Sequence, residues 1–508
     1  MLARITFGVA AMMVGVLVVG SYVGSERGRA SAYPTATGEA GPPGLSQFYR
    51  QKLTWTSCGA AICTWVTVPV DYDAPRGDTL RLRLKLRPGG SGGGERHLFV
   101  NPGGPGGSGA AFVSAFTAAA SDGLKNDFDV VGFDPRGVGE SQPLTCLTPK
   151  SFDKLVAIDP APEGAEEVAE LQRGFRAVGR ACVAKSGALA SHVSTAEVVR
   201  DLDILRALMG ERTLDYYGAS YGTQIGATYA DVFPERVGKM VLDGAVDPSL
   251  SKERQSFGQA KGFQRALTAF LTWCVQTGQC PLGPDRAAAE ESVVALLDSL
   301  DRKPIETRGQ RDLTKGSAVY GIAYGLYSRD LWTVLLNGLD RATFGDGSVL
   351  LQLSDRYFRR RSDGTYSDNG SQALYAVRCL DYPQAPTDAQ ISALIPSYER
   401  ASPVFGATMA WSAAECQEWP AASDDPQLPI RTTDLPPIVV IGTTRDPATP
   451  YVWAKALVRQ LDRSVLVTRR GDGHTGYGVG NRCVDSVVDR YLRFGEDPDF
   501  TVTCPEGA

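Results

Sequence analysis

Two hydrophobic rhythms run along this chain. TWVTVPVDYD and TLRLRLKLRP read as an antiparallel strand pair, the second alternating apolar and basic residues at period two as a half-exposed strand does. HLFVNPGGPGGSG and FDVVGFDPRGVGES each join a short apolar run to a glycine-rich turn, the pattern of buried parallel strands feeding loops at the carboxyl edge of a sheet. TAEVVRDLDILRALMG (195–210) has the helical period and leads into another strand. RVGKMVLDGAVDP, LPPIVVIGTTRDPATP and SVLVTRRGDGHTGYG supply three more. Strands alternating with helices predict an α/β architecture with a mostly parallel central sheet.

Between Asp247 and about Asp434 the strand rhythm breaks. FGQAKGFQRALTAFLTWCVQ and AVYGIAYGLYSRDLWTVLLNGL place aromatics at helical spacing, most of them as lid core. The segment is too long for a loop, so it predicts a helical lid over 249–433, inserted before the last two core strands. The core is then split into 49–248 and 434–508. The first 32 residues, one early arginine followed by an apolar run and Ala30-Ser31-Ala32, read as a signal peptide cleaved near Ala32. An uncleaved anchor is the alternative, and would be the chain's only membrane attachment. Residues 33–48, opening Pro/Gly/Ala-rich, read as a mobile linker.

Composition narrows the function classes. The chain has 508 residues, 43% hydrophobic and 21% charged, and a net charge of −5 with scattered Lys and Arg, which gives no case for nucleic acid. Its ten cysteines contain no Cys-x-x-Cys pair, and three histidines are too few and too dispersed for a zinc site. Disulfides in an extracytoplasmic protein are the better reading. Sequence neighbours suggest Cys58 with Cys63, Cys146 with Cys182, Cys274 with Cys280, Cys379 with Cys416 and Cys483 with Cys504, although sequence alone does not fix connectivity.

In LDYYGASYGTQIGATYA (214–230) strand formers run into Gly218-Ala219-Ser220-Tyr221-Gly222 and then into a helix of small residues. This is the context of a nucleophile elbow, a sharp strand-to-helix turn that lifts a serine hydroxyl above a sheet. The same pattern around Ser91 lies in RPGGSGGGER, a linker composition with no helix after it. A serine needs a base, and the base needs an orienting group. His474 follows the last strand, whereas His97 precedes one and His192 lies in a polar stretch. Asp446 follows the preceding strand, and Ser220, Asp446, His474 is the chain order of an α/β-hydrolase. Asp472 is the weaker rival acid, and Thr449 could hydrogen-bond beside Asp446. Asn101-Pro-Gly-Gly-Pro offers unhindered backbone for an oxyanion hole, with the N–H of Gly103 or Gly104 and that of Tyr221 as donors. Asp134 and Arg136 read as loop braces.

Taken together, NPGGPGGSG, FDVVGFDPRGVGES, YYGASYGTQIGATYADVFPERVGKMVLDGAVDP, GTTRDPATPY and GDGHTGYG resemble the secreted tripeptidyl aminopeptidases of actinobacteria. These are α/β-hydrolase serine peptidases related to proline iminopeptidase, whose His-Gly-Gly-Pro-Gly loop is similar to Pro102–Gly106. The resemblance covers nearly all of the mature chain and implies release of short peptides, typically tripeptides, from the free N-termini of peptides or proteins. Such an enzyme needs an anionic feature for the substrate ammonium group; Asp381, Glu415 and Asp247 are the candidates. No metal or organic cofactor is implied. An esterase or lipase on the same residues is the second reading, since fold does not decide substrate. A binding protein without catalysis would have lost a triad member, and none is missing.

Overall fold

Alternation in TLRLRLKLR buries Leu80, Leu82, Leu84 and Leu86 and leaves the intervening basic residues more exposed. That strand belongs to the computed structural model of the protein, which describes residues 33–90, 96–421, 426–427, 429–498 and 501–507. The signal segment 1–32 and Ser91 lie outside the described residues.

Among the described residues ten strands form one sheet: β1 (Thr56–Ser57), β2 (Ile62–Pro69), β3 (Thr79–Arg87), β4 (His97–Asn101), β5 (Asp129–Phe133), β6 (Leu214–Ala219), β7 (Val237–Asp243), β8 (Ile438–Arg445), β9 (Ser464–Asp472) and β10 (Val502–Cys504). Their spatial order is β1-β2-β3-β5-β4-β6-β7-β8-β9-β10. β3 runs antiparallel to both neighbours, and every pairing from β5 to β10 is parallel. This is an α/β-hydrolase sheet. Alternate residues of its central strands serve different cores: Phe99, Ile438 and Val440 pack on one face, Leu98, Val439 and Ile441 on the other. Because the central strands are parallel, the ends of β4, β6, β8 and β9 share one edge. The loops that leave this edge carry Gly103, Ser220, Asp446 and His474.

Among the described residues eight α-helices lie between β7 and β8, from Lys252–Gln276 to Gly406–Trp411. They hold a separate core in which Phe263, Phe270 and Trp332 are buried. The helical layer is larger than the lid segment 249–433. The helices Pro149–Ala157 and Ala165–Ser186, between β5 and β6, join it: Leu155, Leu171 and Phe175 line the cavity beneath the lid. The segment 33–48 is docked on the core and is not a free linker. Leu45 and Phe48 are buried, the Thr37 N–H donates to the Ala207 carbonyl at 2.8 Å, and Glu39 pairs with the Arg206 guanidinium. All ten cysteines pair, each with its nearest neighbour in sequence. Among the described residues no helix is long and apolar enough to cross a membrane.

Candidate active site

Ser220 sits between β6 and the helix Tyr221–Val232 with φ 56° and ψ −125°, a conformation that costs a β-substituted residue free energy. The turn is held from both sides. The Ser220 N–H donates to the Asp243 carbonyl at 2.8 Å, and the Thr223 N–H donates to the Ser220 carbonyl at 2.8 Å. A Cβ at Gly218 would stand 2.3 Å from the Gly222 carbonyl oxygen, so strand and helix approach this closely only with glycine there.

Asp446 is fully buried at the end of β8 and meets only donors. One carboxylate oxygen accepts the N–H groups of Ala448 (2.9 Å) and Thr449 (2.8 Å); the other accepts the Thr449 hydroxyl (3.1 Å) and the Thr475 N–H (3.3 Å). Both oxygens face His474 Nδ1, at 2.9 and 2.8 Å. The imidazole is steadied by the lid as well. The backbone N–H of His474 donates to the Tyr327 carbonyl at 2.9 Å, and the Tyr327 ring stands edge-on to the imidazole. From the other side the Gln259 side chain donates to the Ala448 carbonyl at 3.0 Å, tying the acid loop to the helix Lys252–Gln276.

The rival residues are engaged elsewhere. Asp472 pairs with Arg445 at 2.9 Å, His97 with Glu211 at 2.7 Å and His192 with Glu197 at 2.8 Å. Asp134 accepts the Ser108 hydroxyl and the Ala110 and Glu140 N–H groups, which fixes the helix after the glycine loop. Arg136, wholly buried, is clamped by Asp201 and by the carbonyls of Pro69 and Val70.

The glycine loop lies against the elbow. A Cβ at Gly103 would fall 2.3 Å from the Ala219 carbonyl oxygen and 2.8 Å from the Tyr221 nitrogen. The Gly103 N–H is already used, donating to the Asn101 side-chain oxygen at 2.8 Å. This removes Gly103 from the two donor candidates and leaves Gly104, whose N–H has no protein acceptor among the described residues. Tyr221 is the first residue of its helix, so its N–H is free of intrahelical bonding.

Above Ser220 a cavity of about 240 Å3 is closed in by Gly104, Tyr221, Tyr320, Tyr375, Asp381 and Glu415, among others. The three anionic candidates have different fates. Asp247 is not in its wall; its carboxylate caps Ser249 and accepts the Gln460 side chain at 2.8 Å, so it is a loop brace rather than a substrate anchor. Glu415 is in the wall but accepts Lys252 Nζ at 2.6 Å and forms an ion pair with Arg378 Nε at 3.0 Å. Burial pushes its carboxyl up, yet these two cations hold it below the ordinary value. Asp381 has only neutral partners: the Thr195 N–H (2.8 Å), the Thr195 hydroxyl (2.6 Å) and the Gln224 amide (3.1 Å). Burial dominates there and lifts its pKa to about 7.

Sequence reading missed these supports. Gln224 and Arg378 line the cavity, and Thr195 and Lys252 stand behind Asp381 and Glu415, through contacts distant in the chain. Asn101 stood next to the glycine loop and carried a local signal.

Residues 402–504 match the family model described as TAP-like protein. The chain is 36% identical over 483 residues to serine protease Hip1 of Mycobacterium tuberculosis, covering 89% of this chain and 91% of that protein. It is 36% identical over 498 residues to carboxylesterase B of the same organism, covering 93% and 95%. To the tripeptidyl aminopeptidase of Streptomyces lividans it is 32% identical over 481 residues, covering 90% and 87%.

Proposed function

The chain belongs to the TAP-like family of α/β-hydrolase serine peptidases, and from that premise we propose that it is an exported exopeptidase releasing short peptides, tripeptides foremost, from free N-termini. The observation that carries this reading is Asp381. A buried carboxylate that faces the cavity and has no cation among its hydrogen-bond partners is an unfavourable charge until one arrives, and a peptide ammonium group supplies it. Export is supported by the five disulfides, which persist in oxidising compartments.

In this mechanism Ser220 Oγ attacks the carbonyl and His474 takes its proton. Asp446 fixes the imidazole tautomer and stabilises the imidazolium. The Gly104 and Tyr221 N–H groups receive the developing oxyanion. His474 then protonates the leaving amine, and water resolves the acyl-enzyme by the same route in reverse. The substrates are peptide or protein N-termini. No step calls on a metal.

Two outcomes are expected. A chromogenic tripeptide amide is cleaved with a free N-terminus and not when acetylated. Asp381→Asn raises KM for the free substrate by about tenfold or more while changing kcat less, the order of one charge-assisted contact. Equal cleavage of capped and free amides would overturn the exopeptidase reading. An ester cleaved where neither amide is would put the esterase reading first, which the 36% identity to carboxylesterase B favours.

The pH profile follows from His474. Burial pushes its imidazolium down, but the Asp446 charge and hydrogen bond, with Asp243 behind, outweigh this and raise the pKa above 6.5. A base works only when neutral, so activity is lost as pH falls through that raised value. The acid limb of kcat, read with substrate bound and Asp381 already paired, is therefore expected above the ordinary histidine value. A limb below it would contradict the assignment.

A further inference from the structure

Resting on that peptidase reading, we propose that the cavity holds a second, cationic subsite, built from Arg378 with Lys252 and Glu415, which receives an acidic side chain of the released peptide. Three charged groups meet there, two positive and one negative. Lys252 Nζ and Arg378 Nε converge on one Glu415 oxygen at 2.6 and 3.0 Å. Lys252 and Glu415 are sealed, with side-chain exposures of 3% and 4%, whereas Arg378 is 25% exposed and lines the cavity that Ser220 floors. Among the described residues the Arg378 guanidinium has no other ion pair or hydrogen bond, so both of its terminal nitrogens are without a protein acceptor.

A single carboxylate balances one cation. The guanidinium of Arg378, three-quarters buried, then keeps its two terminal nitrogens for a further acceptor. The planar fork of a guanidinium matches a carboxylate, and a free peptide carbonyl would satisfy only part of it. Aromatic walls from Tyr320, Tyr357 and Tyr375 keep the site at low dielectric, where such a contact is strong. Asp381 lies three residues beyond Arg378 in the helix Gly370–Asp381, close enough to be a neighbour on that helix, yet it bonds Thr195 and Gln224 instead. One helix thus offers an anion for the substrate ammonium group and a cation for an adjacent carboxylate.

The test is a set of chromogenic tripeptide amides with glutamate or glutamine at each position in turn, the remaining positions being alanine. For the parent enzyme kcat/KM for glutamate should exceed that for glutamine by about tenfold or more at one position. Arg378→Met should bring this ratio to near one, because it leaves the Lys252–Glu415 pair balanced, and Arg378→Lys should keep part of it. The ratio controls internally for any loss of folded enzyme. Parent ratios near one at all three positions, or a ratio that survives Arg378→Met, would overturn the subsite. Failure of the exopeptidase reading shows separately, as cleavage indifferent to an acetyl cap, since the ratio is measured on a free and an N-acetylated series of the same amides. If neither series is cleaved, the same ratio is read on the corresponding p-nitrophenyl esters.

Discussion

Ser220→Ala is expected to lower kcat by a factor on the order of 10^5 to 10^6, the scale on which a serine nucleophile that works as a unit with its base is lost. The fold should be retained. Ser220 is held through its backbone N–H and carbonyl groups, to Asp243 and Thr223, and alanine preserves both. The positive φ of Ser220 is imposed by these contacts and by the glycine contacts on either side, so alanine bears the same strain as serine. A variant with the parent's thermal unfolding midpoint and no turnover therefore isolates chemistry from folding. Turnover within about tenfold of the parent would place the nucleophile elsewhere.

Asp446→Asn is expected to cost about 10^4 in kcat, for a reason legible in the hydrogen bonds. The carboxylate receives five donors besides none that it gives: three backbone N–H groups, the Thr449 hydroxyl and His474 Nδ1. An amide offers one accepting oxygen. Whichever way it turns, its NH2 faces a donor, and the cheapest escape is for His474 to carry its proton on Nε2. That tautomer cannot accept from Ser220. The acid limb of the residual activity should also move to lower pH, since the Asp446 charge and hydrogen bond are what raise His474. Steady-state rates across pH for parent and variant measure both effects; an unchanged limb with little loss of rate would remove Asp446 from its role.

What could be seen in the sequence was local in the chain or fixed by the sheet. A parallel α/β sheet delivers strand ends to one edge, so Ser220, Asp446 and His474 could be placed from the apolar runs before them. The disulfides were legible for a similar reason, each joining cysteines that are successive in sequence. What escaped depends on tertiary meetings that no period encodes. Asp381 acquires its neutral partners from Thr195, 186 residues away, and Glu415 is neutralised by Lys252 at a separation of 163. Treating Asp381 and Glu415 as equals followed from seeing the carboxylates without their neighbours. Helices 149–157 and 165–186 have the same history: they belong to the core half in sequence and to the cavity roof in space. The segment 33–48 looked free by composition, yet Phe48 and Tyr49 provide the apolar surface that docks its end.

The most direct test of the central claim is to treat the folded protein with a fluorophosphonate, which reacts only with an activated serine, and to locate the adduct by intact mass and peptide mapping. One adduct is expected, on the peptide carrying Ser220, absent from Ser220→Ala and much slower to form in Asp446→Asn. An adduct on another serine, or full peptidase activity with Ser220 unmodified, would contradict the account.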